Sequence, residues 1–400
     1  MVKTGAPPAD RDRVTRRLLL PIAAALGLLW GAGAAAAASQ PPAPAATVPA
    51  PPPAVPVTPA TPAAPAVPAT PTTPSVPATP ATPATPASQA AWAAPAAKRL
   101  AAAGAWPELA GDDLSRDATR GDLDRALGAI TGTRPASANP AAPATAWQSH
   151  LLVVRALGLE AERRGIARIA VDGGGVLRMP RFAGSEVLAR ELGLVYNQPA
   201  SQDGRERAKG QPLRLADLAY MADRARGVSS WQRAGLARYR DIRLPAMSAQ
   251  RLAVVQAAVS QVGQPYVWAG DWPGVRSPWG VQAHGGFDCS GLVWWAFKGS
   301  AGPSQMSLGS GLLGRTADAM AWERPAEREA ADAALPGDLV FFGPKGPTSP
   351  RGSISHTGIA LGGGWMIHSS GSRGGVSISW LPTYWPSATA WARRVAQLGA

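Results

Sequence analysis

The stretch 287-FDCSGLVWWAF-297 decides how the C-terminal part of this chain is read. It holds the one cysteine of 400 residues, so Cys289 has no partner for an internal disulfide. Ser-Gly and an apolar run follow at once, which predicts a buried helix starting at the cysteine. Backbone amides at a helix N-terminus favour the anionic form of a thiol, so this placement suits a thiolate nucleophile if a base lies close by. The plainer alternative is an inert buried cysteine.

Downstream, 335-LPGDLVFFGP-344 predicts a turn and a strand, and 354-ISHTGIAL-361 and 364-GWMIHSS-370 predict two more. The 362-GG-363 pair between them suits a hairpin. His356 and His368 are then expected to lie close together on neighbouring strands. A thiolate attacking an amide needs a base to take and return the proton, and a third group to fix that base's ring. His356 is the candidate base and His368 the candidate orienting residue. The tail 376-VSISWLPTYWPSATAWARRV-395 predicts one strand, then aromatic residues packed along an edge. A zinc reading of Cys289, His356, His368 and Asp288 has no Cys-x-x-Cys or His-x-x-x-His pair behind it.

Upstream, 248-SAQRLAVVQAAVSQVG-263 predicts a helix capped by Ser248, with Leu252, Val255, Val259 and Val262 on its apolar face. It leads into 264-QPYVWAG-270 and an insertion, 271-DWPGVRSPWGVQAHGG-286, rich in turn formers and aromatic residues. Trp272, Trp279 and His284 are its candidates for shaping a substrate groove. The segment 299–325 reads as a glycine-rich loop with a short helical piece.

Residues 248–395 resemble the NlpC/P60 family of papain-like cysteine peptidases that cleave peptidoglycan stem peptides. The resemblance rests on 265-PYVWAG-270, 287-FDCSGLV-293, 312-LLGRTADAM-320, 336-PGDLVFF-342, 355-SHTGIAL-361 and 367-IHSS-370, whose order and spacing agree with it. It implies an α+β fold with an antiparallel sheet packed on the helix carrying the cysteine. It also implies Cys289 as nucleophile, His356 as general base and acid, and His368 as its orienting partner, with no cofactor and no metal. Tyr266 matches a family tyrosine that helps bind the oxyanion or substrate carbonyl. Asp288 matches an acidic position that is structural or contacts the substrate amine, and Ser290 is expected in a supporting role. The implied reaction is hydrolysis through an acyl-enzyme, most often between γ-D-glutamate and diaminopimelate or lysine. Three departures stand out: Ala269 replaces a glycine, Ala321 a frequent glutamine, and the 271–286 insertion is added. Two other functions stay open, amidase, acyltransferase or esterase chemistry on another acyl substrate, and a non-catalytic wall-binding protein.

The rest of the chain sets the compartment. Arg11, Arg13, Arg16 and Arg17 precede 18-LLLPIAAALGLLWGAGAAAAA-38, so residues 1–38 read as a secretory signal peptide, or as an uncleaved membrane anchor of sufficient length. Residues 39–95, exemplified by 76-VPATPATPATPA-87, lack the large apolar groups that offset ordering entropy and read as a disordered, extended linker. Both features point to a secreted, wall-associated protein. The net charge of +13 is dispersed and shows no nucleic-acid reading pattern; anionic wall polymers are the simpler partner.

Between 96 and 240, apolar spacing predicts helices over 114–130, 146–159, 184–194 and 212–226, the last with Leu215, Leu218, Ala219 and Ala222 on one face. The stretches 117-DATRGDLDRALG-128 and 210-GQPLRLADLAYMAD-223 read as two versions of one unit, and 190-RELGLVYNQP-199 as a link before another. This part resembles the S-layer homology fold, which implies binding of wall polymers. A plain packing or substrate-positioning module is the alternative. His150, among apolar neighbours, reads as a packing or surface residue rather than a ligand.

Overall fold

Why each segment takes its form is visible at its ends. The computed structural model describes residues 90–196, 206–207, 210–282, 284–299 and 308–398. The leader over 1–38 and all but the last residues of the linker lie outside these. The described residues begin at Ala90, inside the expected linker: Ala90 and Ala93 bury against Ala216, and Trp92 stacks on Tyr196 at 3.9 Å.

The helical region contains α1 (Ala94–Ala102), α2 (Arg120–Thr131), α3 (Ala146–Ala156), α4 (Glu160–Ile166), α5 (Ala183–Glu191), α6 (Leu215–Arg226) and α7 (Ser230–Gly235). Thr119 caps α2: its hydroxyl accepts from Asp122 N–H, and the Asp122 carboxylate accepts from Thr119 N–H at 2.9 Å. The apolar face expected for α6 is fully buried at Leu215, Leu218, Ala219 and Ala222.

The repeat is threefold rather than twofold in the structure. Ala118 N–H donates to Leu213 O, Leu213 N–H to Ala144 O, and Ala144 N–H to Ala118 O, a closed ring of hydrogen bonds. Each of these extended segments feeds a helix, α2, α3 or α6. The α3 unit shares Ala144-Thr145 with Ala118-Thr119 but has Gln148 where its counterparts carry the capping carboxylates Asp122 and Asp217, which weakens the likeness in sequence. A parallel pair, β1 (Ala170–Val171) with β2 (Arg243–Leu244), closes the region.

In the C-terminal domain α8 (Ala249–Val259) is capped by Ser248 as expected. Its inward face differs from the expectation. Leu252 is 39% exposed, while Arg251 is 2% exposed and donates to Pro336 O at 2.6 Å and to Asp338 at 3.0 Å. A buried ion pair with a carbonyl acceptor offsets the desolvation of both charges.

The 271–286 insertion is not irregular. It forms two nested hairpins, β3 (Asp271–Trp272) with β6 (Gly286–Phe287), and β4 (Arg276–Ser277) with β5 (Gly280–Val281). Gln282 staples them: its amide donates to Trp272 O at 2.8 Å and His284 O at 2.7 Å, and its oxygen accepts from Asp271 N–H at 3.0 Å.

Helix α9 (Cys289–Trp294) follows, continued by a wider π-type turn over Trp295–Gly299, and then α10 (Ala317–Trp322). Strands β7 (Arg328–Glu329), β8 (Leu339–Phe342), β9 (His356–Gly362), β10 (Trp365–Ser370), β11 (Gly375–Trp380) and β12 (Thr389–Arg393) form an antiparallel sheet in the order β11-β10-β9-β8-β12-β7. The α+β architecture with its sheet against the cysteine helix is as expected. Side chains alternate along β8: Leu339 and Phe341 enter the main core with α8 and α9, while Val340 and Phe342 join a second cluster with Met366 and Tyr384. Each such side chain removed from water contributes about 2–3 kcal/mol. The β9–β10 turn runs through Gly362, Gly363 and Gly364, all at positive φ, where a side chain would be strained. The tail corrects the expectation: after β11 its second half does not line an edge but enters the sheet as β12 between β8 and β7, with Arg393 fully buried.

Candidate active site

The cysteine helix starts where Asp288 ends the extended chain. The Asp288 carboxylate caps α9, accepting from Gly291 N–H at 2.5 Å and from Ser290 Oγ at 3.1 Å. Arg315 clamps both, donating to Asp288 at 3.2 Å and to Ser290 Oγ at 2.9 Å. Gly291 is required for fit: a Cβ there would lie 1.8 Å from Gly270 O. Asp288 and Ser290 thus hold the helix start in place. Arg315 was quoted in the sequence only as part of a motif, and its partner carboxylate 27 residues earlier carried no local signal.

Tyr266 is half-buried, bridges to Phe287 and donates its N–H to Gly374 O at 3.3 Å, which sets it against the segment that delivers the cysteine. The insertion packs on the far end of α9. Trp272 lies edge-on to Trp279 at 5.8 Å and to Trp295 at 4.6 Å, and Trp279 meets Trp294 at 6.0 Å. His284 sits in the turn, with Nδ1 2.9 Å from Gly285 O. Ala269 takes a left-handed φ of 59°.

The histidines meet. Ile359 pairs with Ile367, so His356 and His368 lie diagonally across the β9–β10 ladder with Gly358 between them. A Cβ at Gly358 would come within 3.1 Å of His368 Cβ, so its absence gives the rings room. His356 Nε2 and His368 Nδ1 are 2.9 Å apart, and His368 Nε2 is 2.9 Å from Ser379 Oγ. Ser379 was missed because Ser377 and Ser379 alternate with Val376 and Ile378, a pattern that reads as a solvated face; both are buried.

Burial dominates the electrostatics. His356 is walled by Phe342, Tyr384 and Trp385, with ring centroids at 5.5, 5.8 and 5.6 Å. Desolvation pushes it down to about 3, and holds His368 well below the ordinary histidine range, with His356 and Arg373 acting the same way. Cys289 is 9% exposed; burial and then the Asp288 charge push its thiol up to about 12, against hydrogen bonds from the Thr357 and Ser290 amides and the charge of Arg315. Burial therefore opposes the thiolate that the helix start favours. Helix α9 spans Cys289–Trp294 only, and its Gly291 amide is already taken by Asp288. Burial thus favours the neutral form of the thiol and of both imidazoles. The Thr357 amide beside the sulfur, next in sequence to His356, ties the cysteine to β9.

Other candidates fall elsewhere. His150 is buried in α3 with Nδ1 2.8 Å from Glu186 Oε1, a buried polar contact rather than an apolar packing position. Among the described residues no cluster of three or more His, Cys, Asp or Glu could hold a metal ion, and no helix is long and apolar enough to cross a membrane.

Residues 263–394 match the family model described as NlpC/P60 family. The probable endopeptidase Rv2190c of Mycobacterium tuberculosis is 39% identical over 123 residues, which cover 30% of this chain and 23% of that protein. The bifunctional muramidase/DL-endopeptidase CwlT of Bacillus subtilis is 38% identical over 135 residues, 33% of this chain and 32% of its own. The murein DD-endopeptidase MepH of Escherichia coli is 34% identical over 138 residues, 34% of this chain and 43% of its own. The chain thus spans about a quarter of the first relative's length and less than half of the others. The helical region lies outside the family match.

Proposed function

Residues 263–394 form an NlpC/P60 domain, and from that premise we propose that the protein is an extracytoplasmic, cell-wall-associated cysteine endopeptidase acting on peptidoglycan stem peptides. The observation that carries the reading is the 2.9 Å contact between His356 and His368 beside the start of the cysteine helix. Cys289 is the nucleophile, His356 the general base and acid, and His368 the residue that holds the His356 ring.

Because burial favours the protonated thiol, the reaction begins with proton transfer to His356 Nδ1, the nitrogen His368 does not use, as the sulfur attacks the peptide carbonyl. The tetrahedral oxyanion takes hydrogen bonds from the Cys289 amide, with Tyr266 at its flank. Collapse breaks the C–N bond, and His356 returns its proton to the leaving amine. Water, deprotonated by His356, then hydrolyses the thioester and restores the thiol.

The scissile bond is proposed to be that between γ-D-glutamate and diaminopimelate or lysine, on the family resemblance and the DL-endopeptidase name of CwlT. The helical region is proposed to position the domain on the wall, aided by the chain's net charge of +13. Mass spectrometry of muropeptides digested by the purified protein tests this, with Cys289→Ala as control. New γ-D-glutamyl termini that vanish in the control support it. No new termini overturns it, and termini at a DD bond overturn the bond assignment alone.

A further inference from the structure

We propose that the helical region supplies a positioning residue to the catalytic centre: Glu191, the last residue of α5, fixes the direction of the hydrogen-bond chain through Ser379, His368 and His356, and so leaves His356 Nδ1 free to receive the thiol proton. The inference rests on the catalytic roles proposed above.

Glu191 Oε1 lies 2.5 Å from Ser379 Oγ, across 188 residues of sequence. An ionised carboxylate can only accept, so the Ser379 hydroxyl donates to it and offers its lone pairs to His368. His368 Nε2–H donates to Ser379 Oγ, which leaves the His368 lone pair on Nδ1. That lone pair accepts from His356 Nε2–H, so the lone pair of His356 stands on Nδ1. Each neutral imidazole has one N–H and one acceptor, so the carboxylate at the end dictates every link. Remove its charge and the Ser379 hydroxyl can donate to His368 Nε2 instead. The chain then reverses, His356 Nδ1 carries the hydrogen, and the base is lost.

The carboxylate is held where it would not otherwise be favoured. The C-terminal end of a helix dipole disfavours an anion. Arg373 compensates: its Nη2 is 3.3 Å from Glu191 Oε2, and its Nη1 donates to Glu191 O at 2.9 Å. The neighbouring Arg190 donates to Gly374 O and to Gly263 O at 3.1 Å, and Tyr239 OH donates to Ile378 O at 2.9 Å, so the end of α5 and the segment after α7 are both tied to the sheet domain. A junction cavity of about 250 Å³, lined by Glu191, Arg238, Tyr239, Arg373 and Ser379 among others, reaches the carboxylate. Burial draws the Glu191 carboxyl upward and Arg373 opposes it.

The test uses the full-length chain with Glu191→Gln, nearly isosteric, and Ser379→Ala, which cuts the link without touching the Arg373 ion pair. Histidine ring nitrogens are read by long-range ¹H–¹⁵N NMR, and kcat and KM on muropeptides are measured alongside. The wild type should show the Nε2–H tautomer at both His356 and His368. Both variants should shift toward Nδ1–H and lower kcat by about tenfold, with KM little changed, short of the ~10⁴-fold loss when a carboxylate touching a catalytic imidazole is neutralised. Unchanged tautomers and kcat in both variants overturn the inference, as does Nδ1–H at His356 in the wild type. A wild type that cleaves no muropeptide yet shows the tautomer shift on Glu191→Gln overturns the peptidase reading and upholds this one.

Discussion

Both regions bury histidine, His150 in the helical region and His356 with His368 in the sheet domain, and they treat it in opposite ways. In the helical region His150 touches a carboxylate directly, 2.8 Å from Glu186, and Glu186 is in turn 3.7 Å from Arg190, which pairs with Glu206 at 2.8 Å. In the sheet domain His356 meets, among the described residues, another imidazole and aromatic walls, and the carboxylate of Glu191 stands beyond His368 and Ser379. Here the histidine in direct contact with a carboxylate sits in a buried cluster with Glu186, Arg190 and Glu206. The one held neutral in an aromatic cage, with its ring fixed from behind, keeps a lone pair for chemistry. Burial alone therefore does not separate a base from a structural residue; here the surroundings of each ring do.

The largest effect expected from breaking this contrast is on turnover. Cys289→Ala and His356→Ala should lower kcat/KM on muropeptides by about 10³-fold or more, while His150→Ala should stay within about threefold. Comparable losses in all three would erase the distinction. On stability the order reverses. His150→Ala leaves Glu186 short of a buried partner and should cost about 3 kcal/mol in urea unfolding, against roughly 1 kcal/mol or less for Cys289→Ala.

Acid sharpens the comparison next. His356 is held down at about 3 and His368 well below the usual range, while both titrate near 6.5 when unfolded. Between those values the unfolded chain binds more protons than the folded one, so stability must fall as pH drops from about 6.5 toward 3 and be complete above 6.5. A melting temperature that is flat across this window would contradict the neutral cage. The same logic applies to the thiol, whose value of about 12 predicts slow alkylation of Cys289 at pH 7 that accelerates only under alkaline conditions. The smallest effect is at Ala269, whose φ of 59° is costly for a side chain. Ala269→Gly should raise stability by about 0.5–1 kcal/mol, the relieved strain being partly offset by glycine's freedom when unfolded.

Much of the sheet domain was legible beforehand because its signals are local. The β9–β10 hairpin followed from alternating apolar residues around Gly362 and Gly363, and it alone brought His356 to His368. The face of α6 followed from helical spacing. The misses share a cause. Leu252 was expected on the inward face of α8 and Arg251 was not among the residues placed there, because spacing cannot see that Asp338 and Pro336 O wait for a guanidinium. The 271–286 segment looked like an open loop because its strands are two residues long and are held by Gln282 rather than by an apolar pattern. The third helical unit, led by Thr145, showed itself only through its backbone hydrogen bonds.

By itself the sequence determined the α+β domain, the helix that begins at Cys289 and the pairing of the two histidines, since each depends on periodicity, turn residues or capping within a few positions. Only the tertiary structure decided the charge state of the site and the direction of its hydrogen bonds. Solvation depends on what covers a group, and Phe342, Tyr384 and Trp385 cover His356 only after the sheet has formed. The carboxylate that orders the chain arrives on α5, 188 residues before Ser379, where no local pattern could announce it.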